Sequence, residues 1–428
     1  MRRPGLSSAL TVYDLLWRGL PVVLKRNKRL REGWDERLLK TPLPRADIWL
    51  QAASAGEAYL ARTILAALSA ALPQGARVRA LVTTNTRQGR DLLERAAGEL
   101  ADAAAAVTLL PAYCPFDRPS LMRKAFGQVM PRCLVLLETE IWPGLLAAAA
   151  GANVPVVIAN ARMSPKTLAR NLPFANLLRP FGPAEVLAIS EKDAARFATL
   201  FPAARTKNVS NVKFDQLTLG ETPKAASALA SLLPEQSPFV VLGSVREQEE
   251  EQAARAAADI LAARPDAVIG LFPRHMERLA AWEGRLAALG LPVVRRSALT
   301  GRAMPGATIL WDVFGELTTA YFLSGAVFVG GSLAPLGGQN FLEPLAAGLV
   351  PVSGPYWKNF AWVGREIVQQ GLLREVPDGR ALAGALLDLL DAPRPREEVR
   401  EAFAAYVATR RGAAGCIASR LAERLGFA

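Results

Sequence analysis

Eleven short apolar runs, separated by alanine-, leucine- and arginine-rich stretches of helical spacing, limit what this chain can fold into. The first half carries IWLQAAS (48–54), VRALVTT (78–84), VTLLP (107–111), CLVLLE (133–138), VPVVIAN (154–160) and EVLAIS (185–190). The second half repeats the rhythm with PFVVLGS (238–244), AVIGLFP (267–273), ATILWD (307–312), AVFVGG (326–331) and LVPVSG (349–354). Strands apolar on both faces and alternating with helices predict parallel sheets covered by helices on either side. The rhythm pauses in the polar stretch 216–237, so the expected class is α/β. Two Rossmann-like domains, residues 32–220 and 221–428, follow a basic segment, residues 1–31. In such folds ligands sit beyond the carboxyl ends of the strands, and in two-domain chains in the cleft between the halves.

Hydrophobic residues make up 51% of the 428 and charged residues 21%, which excludes a disordered chain. Cys114, Cys133 and Cys416 have no C-x-x-C spacing, so neither a disulfide frame nor a metal knot is expected. The net charge of +12 is uneven: residues 1–31 hold eight Lys or Arg against one acid, Asp14. Leu10, Val12, Leu15, Leu16, Trp17 and Leu20 lie in the same segment, but Asp14, Arg18 and Pro21 interrupt them, so a clean membrane span is missing. A basic, Trp-containing amphipathic segment is expected to lie on an anionic membrane surface. The alternative is a first helix packed on its own domain. No nucleic-acid-reading motif accompanies the charge, and no nucleic acid is expected as a partner.

The strand-to-helix turns carry the candidate chemistry. In QAASAGEA (51–58) small residues lead to Glu57 in the first helical turn, where the dipole is expected to keep a carboxylate ionised, as a general base must be. The alternative there is an ordinary helix-start acid. LLETEIWPG (136–144) ends an apolar strand with Glu138 and Glu140, and Asn160, Arg162, Ser164 and Lys213 stand at other strand ends. LFPRHMERL (271–279) holds the only histidine, His275, beside Arg274, the better phosphate or base ligand of the two. No Asp-x-Asp pair occurs, so a metal-bound nucleotide diphosphate is not expected. Gly315 and Glu316 begin another helix. GGSLAPLGGQNFLEP (330–344) places four glycines, Asn340 and Glu343 between a strand and a helix. Its glycines are expected to let the chain pass close to a nucleotide, the amides at the helix start near Asn340 to hold the phosphate, and Glu343 to hold the ribose.

AASAGEA, ETEIWPGLL, NARMSPKT, VKFD, PRHMERL, GELTTAYFLSGAVFVGGSLAPLGGQNFLEPLAAG and GPYWKNF, in that order, resemble the Kdo transferases. These move 3-deoxy-D-manno-octulosonic acid (Kdo) from CMP-Kdo to the lipid A precursor of Gram-negative bacteria. The similarity runs from the basic start to about residue 375. It implies a GT-B fold at the cytoplasmic face of the inner membrane, no cofactor and no metal. The partners it implies are CMP-Kdo, a lipid A precursor and the anionic membrane surface. The family's base falls on Glu57 and its transition-state stabilisers on Glu138 and Lys213. Its CMP contacts fall on Pro273, Arg274, Phe314, Gly315, Glu316, Asn340, Phe341, Leu342 and Glu343. This chain departs from the family pattern at Gln51 (often His), at GSVREQEEE (243–251), and at Gln339-Asn340-Phe341, where His-Asn-Pro is usual. A proline at 341 is therefore expected to be tolerated at the helix start. Two other readings share the features: a GT-B lipid glycosyltransferase using a UDP-sugar, and a catalytically silent membrane-associated relative.

Overall fold

The computed structural model describes residues 4–217 and 226–427. The junction expected near residue 220, and Arg2 and Arg3, lie outside the described residues. The chain forms two compact units, Met1–Leu217 with Arg410–Ala428, and Thr218–Thr409. Each is built on a seven-stranded sheet.

In the first unit the strands are β1 (Ile48–Gln51), β2 (Val78–Thr84), β3 (Val107–Tyr113), β4 (Cys133–Leu137), β5 (Val156–Ala161), β6 (Glu185–Ala188) and β7 (Arg205–Asn208). They pair in parallel in the order β3-β2-β1-β4-β5-β6-β7. Successive side chains point to opposite faces of a strand. Ile48 and Leu50 therefore enter one core with Val135 and Leu137, while Trp49 enters the other with Leu134 and Leu136. That two-sided burial is why the runs read as continuously apolar. The order reverses between β1 and β4, which makes their carboxyl ends the switch point of this sheet.

The second unit holds β8 (Phe239–Val245), β9 (Val268–Pro273), β10 (Val293–Arg295), β11 (Thr308–Leu310), β12 (Ala326–Val329), β13 (Val352–Ser353) and β14 (Arg374–Glu375). Their order is β10-β11-β9-β8-β12-β13-β14, again parallel, with the switch point between β8 and β12. Three strands absent from the sequence reading, β7, β10 and β14, are sheet edges. Each of the three is only two to four residues long, and Arg205–Asn208 (RTKN) has no apolar signal at all; the fourth edge, β3, is longer and apolar.

The expected second domain, 221–428, is corrected at its end: residues 410–428 return to the first unit. The helix Ala413–Arg424 lays Ala414, Ile417, Ala418 and Leu421 into the same core as Ile64 and Leu68 of the helix Ala55–Ala71. Asp215 accepts the amides of Gly412 and Ala414 (2.6 and 2.7 Å), capping the returning helix. Arg420 and Arg424 both pair with Glu185, which is buried on β6 (2.8 and 3.2 Å).

The N-terminal helix Pro4–Leu24 also belongs to the first unit. Tyr13 donates to Asp117 (3.0 Å), Asp14 accepts from the Ser120 amide (2.7 Å), and Trp17 packs on Phe116 with ring centres 5.7 Å apart. Val12, Leu15, Leu16 and Leu20 stay exposed, Leu16 by 68%. One face of the helix is docked, and a second apolar face is left on the outside. Among the described residues no helix is long and apolar enough to cross a membrane.

The Glu185 pairing predicts the stability of the returning helix. Replacing Arg420 and Arg424 together by Ala leaves a buried carboxylate without a partner, at a cost of about 3–5 kcal/mol. Chemical denaturation with a probe in the first unit should show that loss. A change below about 1 kcal/mol would mean that the helix does not depend on this pairing.

Candidate active site

The carboxyl ends of β1 and β4 bring Glu57, Glu138 and Glu140 together, and the turn after β7 adds Lys213. Ser54 caps the helix Ala55–Ala71 by accepting the Glu57 amide (3.4 Å). The Glu57 carboxylate turns back to accept from the Ala53 amide (2.7 Å) and the Ser54 hydroxyl (3.0 Å). This reciprocal arrangement closely resembles a capping box and fixes the side chain in one position. Burial pushes Glu57 up to about 7; the negative charges of Glu140 and Glu138 add to the rise, while the two hydrogen bonds oppose it. The expectation that the helix dipole would keep this acid ionised is thus corrected. Desolvation and like charges outweigh the dipole.

Glu138 follows β4 with a left-handed backbone (φ 55°) that redirects the chain at the strand end. Its carboxylate, mostly buried, meets Arg162 at 2.9 Å and Lys213 at 3.9 Å. Burial lowers the Lys213 ammonium, and the Glu138 carboxylate pulls it back up. Lys213 sits on a short turn, Val212–Phe214, which two asparagines hold. The Asn160 side chain accepts from the Val212 amide (2.9 Å), and Asn211 accepts from the Lys213 amide (3.0 Å). Asn160 is fully buried and itself left-handed (φ 50°). The VKFD motif thus does two jobs: Lys213 faces Glu138, and Asp215 caps the returning helix.

In the second unit the expected nucleotide ligands stand at the carboxyl ends of β9, β11 and β12. Pro273 is buried at the end of β9, and the Arg274 side chain is exposed just beyond it. Phe314 is 79% exposed, and Gly315 is left-handed (φ 88°). Glu316 is engaged by Arg296 through two bonds of 2.9 Å and by the Trp311 indole at 2.8 Å, so it braces its own loop. Asn340 donates to Glu343 (2.7 Å), and Thr318 donates to the other Glu343 oxygen (3.1 Å). Two of roughly four acceptor positions on that carboxylate are used.

Several features of this loop serve the chain's own structure. The amides of Gly331, Ser332 and Leu333 are not left for a phosphate: the buried carboxylate of Glu249 accepts all three, at 2.5, 2.7 and 2.6 Å. The glycines answer to the chain's own packing. A Cβ at Gly330 would lie 2.6 Å from the Ser244 carbonyl, and one at Gly338 would lie 2.8 Å from the Trp357 Cα. The helix that follows, Leu342–Ala346, is only 5 residues long, so its dipole is weak. Phe341 and Leu342 are buried, Phe341 against Trp357 and Phe360 (ring centres 5.6 and 5.1 Å).

Residues 32–216 match the family model described as 3-Deoxy-D-manno-octulosonic-acid transferase (kdotransferase). The 3-deoxy-D-manno-octulosonic acid transferase of Bordetella pertussis is 33% identical over 97% of this chain and 99% of its own length. The chain belongs to the 3-deoxy-D-manno-octulosonic acid transferases. It is a glycosyltransferase of that family. The Haemophilus influenzae enzyme of the same name is 29% identical over 86% of this chain and 85% of its own. A solved glycosyltransferase from Rickettsia africae ESF-5 superposes with a TM-score of 0.57 at 11% identity, over 90% of this chain and 99% of that one. Its likeness concerns the fold, the two-unit GT-B architecture.

Glu140, Gln51, Asn211 and Glu249 were not singled out as site residues from sequence. The ETE spacing pointed at Glu140. Glu249 lies in GSVREQEEE among other acids, of which Glu250 is buried too, and nothing local distinguishes the one that meets the glycine loop. The burial of Phe341 reverses the expectation for proline there. Phe341→Pro removes an aromatic from a packed cluster and should cost about 3–5 kcal/mol, read as a lowered denaturation midpoint of the second unit. A midpoint within 0.5 kcal/mol of wild type, the usual effect of a surface change, would restore the helix-start view.

Proposed function

We propose that this transferase moves Kdo from CMP-Kdo to the phosphorylated glucosamine disaccharide of a lipid A precursor. The setting is the cytoplasmic face of the inner membrane in a Gram-negative cell. Family membership supports the sugar, and one observation supports the chemistry above the others: Glu57 is oriented by two hydrogen bonds and held near neutrality beside Glu138 and Lys213. In this reading Glu57 takes the proton of the attacking acceptor hydroxyl as the anomeric carbon passes through an oxocarbenium-like state. Glu138 fixes Lys213, whose ammonium steadies developing negative charge. In the second unit Arg274 serves the CMP phosphate, Phe314 offers a face to the base, and Glu343, with Asn340 beside it, accepts from the ribose hydroxyls. Pro273, Gly315 and Glu316 shape the walls.

The test is turnover of purified protein with CMP-Kdo, generated in situ, and a tetra-acylated lipid A precursor. Glu57→Gln should lose about 10²-fold or more in rate, with CMP binding retained. A base must be unprotonated, so the wild-type rate should rise with pH through about 7, where Glu57 gives up its proton. Wild-type turnover by the Gln variant would remove Glu57 from the mechanism. Calorimetric binding of UDP in preference to CMP would favour the UDP-sugar alternative.

The outward face of the N-terminal helix supports contact with an anionic membrane surface. Changing Val12, Leu16 and Leu20 together to Ser should reduce co-sedimentation with phosphatidylglycerol vesicles and leave the melting temperature unchanged, because Tyr13, Asp14 and Trp17 still dock the helix. Undiminished co-sedimentation would place membrane contact elsewhere.

A further inference from the structure

Glu140 has no role in the chemistry above, yet it is held as firmly as the residues that do. The Trp142 indole donates to its carboxylate at 2.6 Å. On its other side lies Gln51, the last residue of β1, which is fully buried. The Trp49 indole donates to the Thr83 hydroxyl (2.8 Å), and Thr83 donates to the Gln51 carbonyl oxygen (2.5 Å). That chain leaves one orientation for the Gln51 amide. Its Nε2 has no partner within strict hydrogen-bond geometry, but the amide still interacts with Glu140 and lowers that carboxylate's affinity for a proton. A buried amide donor without a partner is costly, and here it is aimed at a carboxylate. Gln51 pairs in register with Leu136 on β4, so the relay crosses the switch point to the strand that leads into Glu140.

We propose that Glu140 is a positioning residue for Glu57: the Trp49–Thr83–Gln51 relay and Trp142 fix its carboxylate so that its negative charge bears on Glu57 and strengthens it as a base. This rests on the reading of Glu57 as the acceptor's base. A proton moving from the acceptor hydroxyl to Glu57 cancels one of two neighbouring negative charges, so the transfer is favoured while Glu140 stays charged and fixed. Burial raises Glu140's own proton affinity, and its interactions with Trp142 and Gln51 oppose that rise. Other charges act on the same group. Glu138 faces Glu57 from the same loop, Lys213 from the turn after β7, and Arg162 acts on Lys213 from beyond β5. Cys114, after β3, also faces Glu140, and burial pushes its thiol up to about 12. Of the charges that bear on Glu57, Glu140 has the largest effect, ahead of Glu138.

The experiment follows the Glu57 carboxyl directly. Full-length protein labelled with ¹³C at glutamate side-chain carboxyls is titrated by NMR, with the Glu57 signal identified by its loss in Glu57→Gln. In Glu140→Gln, close in shape to the native residue, the Glu57 midpoint should fall from about 7 toward the ordinary carboxylate range. That is a loss of roughly tenfold in proton affinity, and the acidic limb of the turnover profile should move with it. Glu140→Asp, which keeps the charge, should give a midpoint between the two. An unchanged Glu57 midpoint in both variants would overturn the proposal, whichever residue proves to be the base. A lowered midpoint with an unmoved rate profile would support the coupling and instead remove Glu57 from the role of base.

Discussion

The position of β1 between β2 and β4 is the constraint on which the catalytic half of this protein depends. Three parallel strands in register bring the turn after β1 and the turn after β4 to one edge of the sheet. Because the strand order reverses there, the helix that follows β1 and the one that follows β4 lie on opposite faces. The two turns can then approach without a helix between them. Glu57, Glu138 and Glu140 are neighbours for that reason. Burial at that edge, and after it the like charges of the neighbouring carboxylates, raise the proton affinities of Glu57 and Glu140. Lys213 and Arg162 offset part of that repulsion. Desolvation, with the like charges added to it, raises the Glu57 carboxyl to about 7.

Elsewhere the protein uses buried carboxylates to tie its own backbone together. Asp117 accepts the amides of Gly144 and Leu145 at the start of a helix and the hydroxyl of Tyr13, and burial still pushes it up to about 6. Asp215 does the same for the returning C-terminal helix, and Glu249 for the glycine loop after β12. Backbone N–H groups at loop and helix starts attract anions, and the chain supplies several of those anions itself. A glycine-rich turn is therefore weak evidence for a phosphate until its amides are accounted for.

The central strands, the helices between them and the positions of Glu57, Glu138 and Lys213 in their turns were legible because each leaves a mark within a short window of sequence. The edge strands β7, β10 and β14 left little, since each is only two to four residues long, too short for a periodic signal. Phe341 was misjudged for a related reason. In sequence it occupies a helix start, where proline would fit. In the fold it closes an aromatic cluster with Trp357 and Phe360, which come from another loop. Glu249 could not be told from the acids around it until β12 delivered the amides that it accepts.

By itself, then, the sequence determined the α/β class, the two-sided burial of the sheets, the family and the turns in which chemistry could occur. All of these follow from local periodicity and ordered motifs. Only the tertiary structure decided that Glu57 sits near neutrality, that the glycine loop is filled by Glu249, and that the last helix returns to the first unit. It also decided which face of the N-terminal helix remains outside. Each of those outcomes depends on desolvation or on a charge contributed from far along the chain. Both are set by what lies nearby in space, and neither is written in the residues on either side.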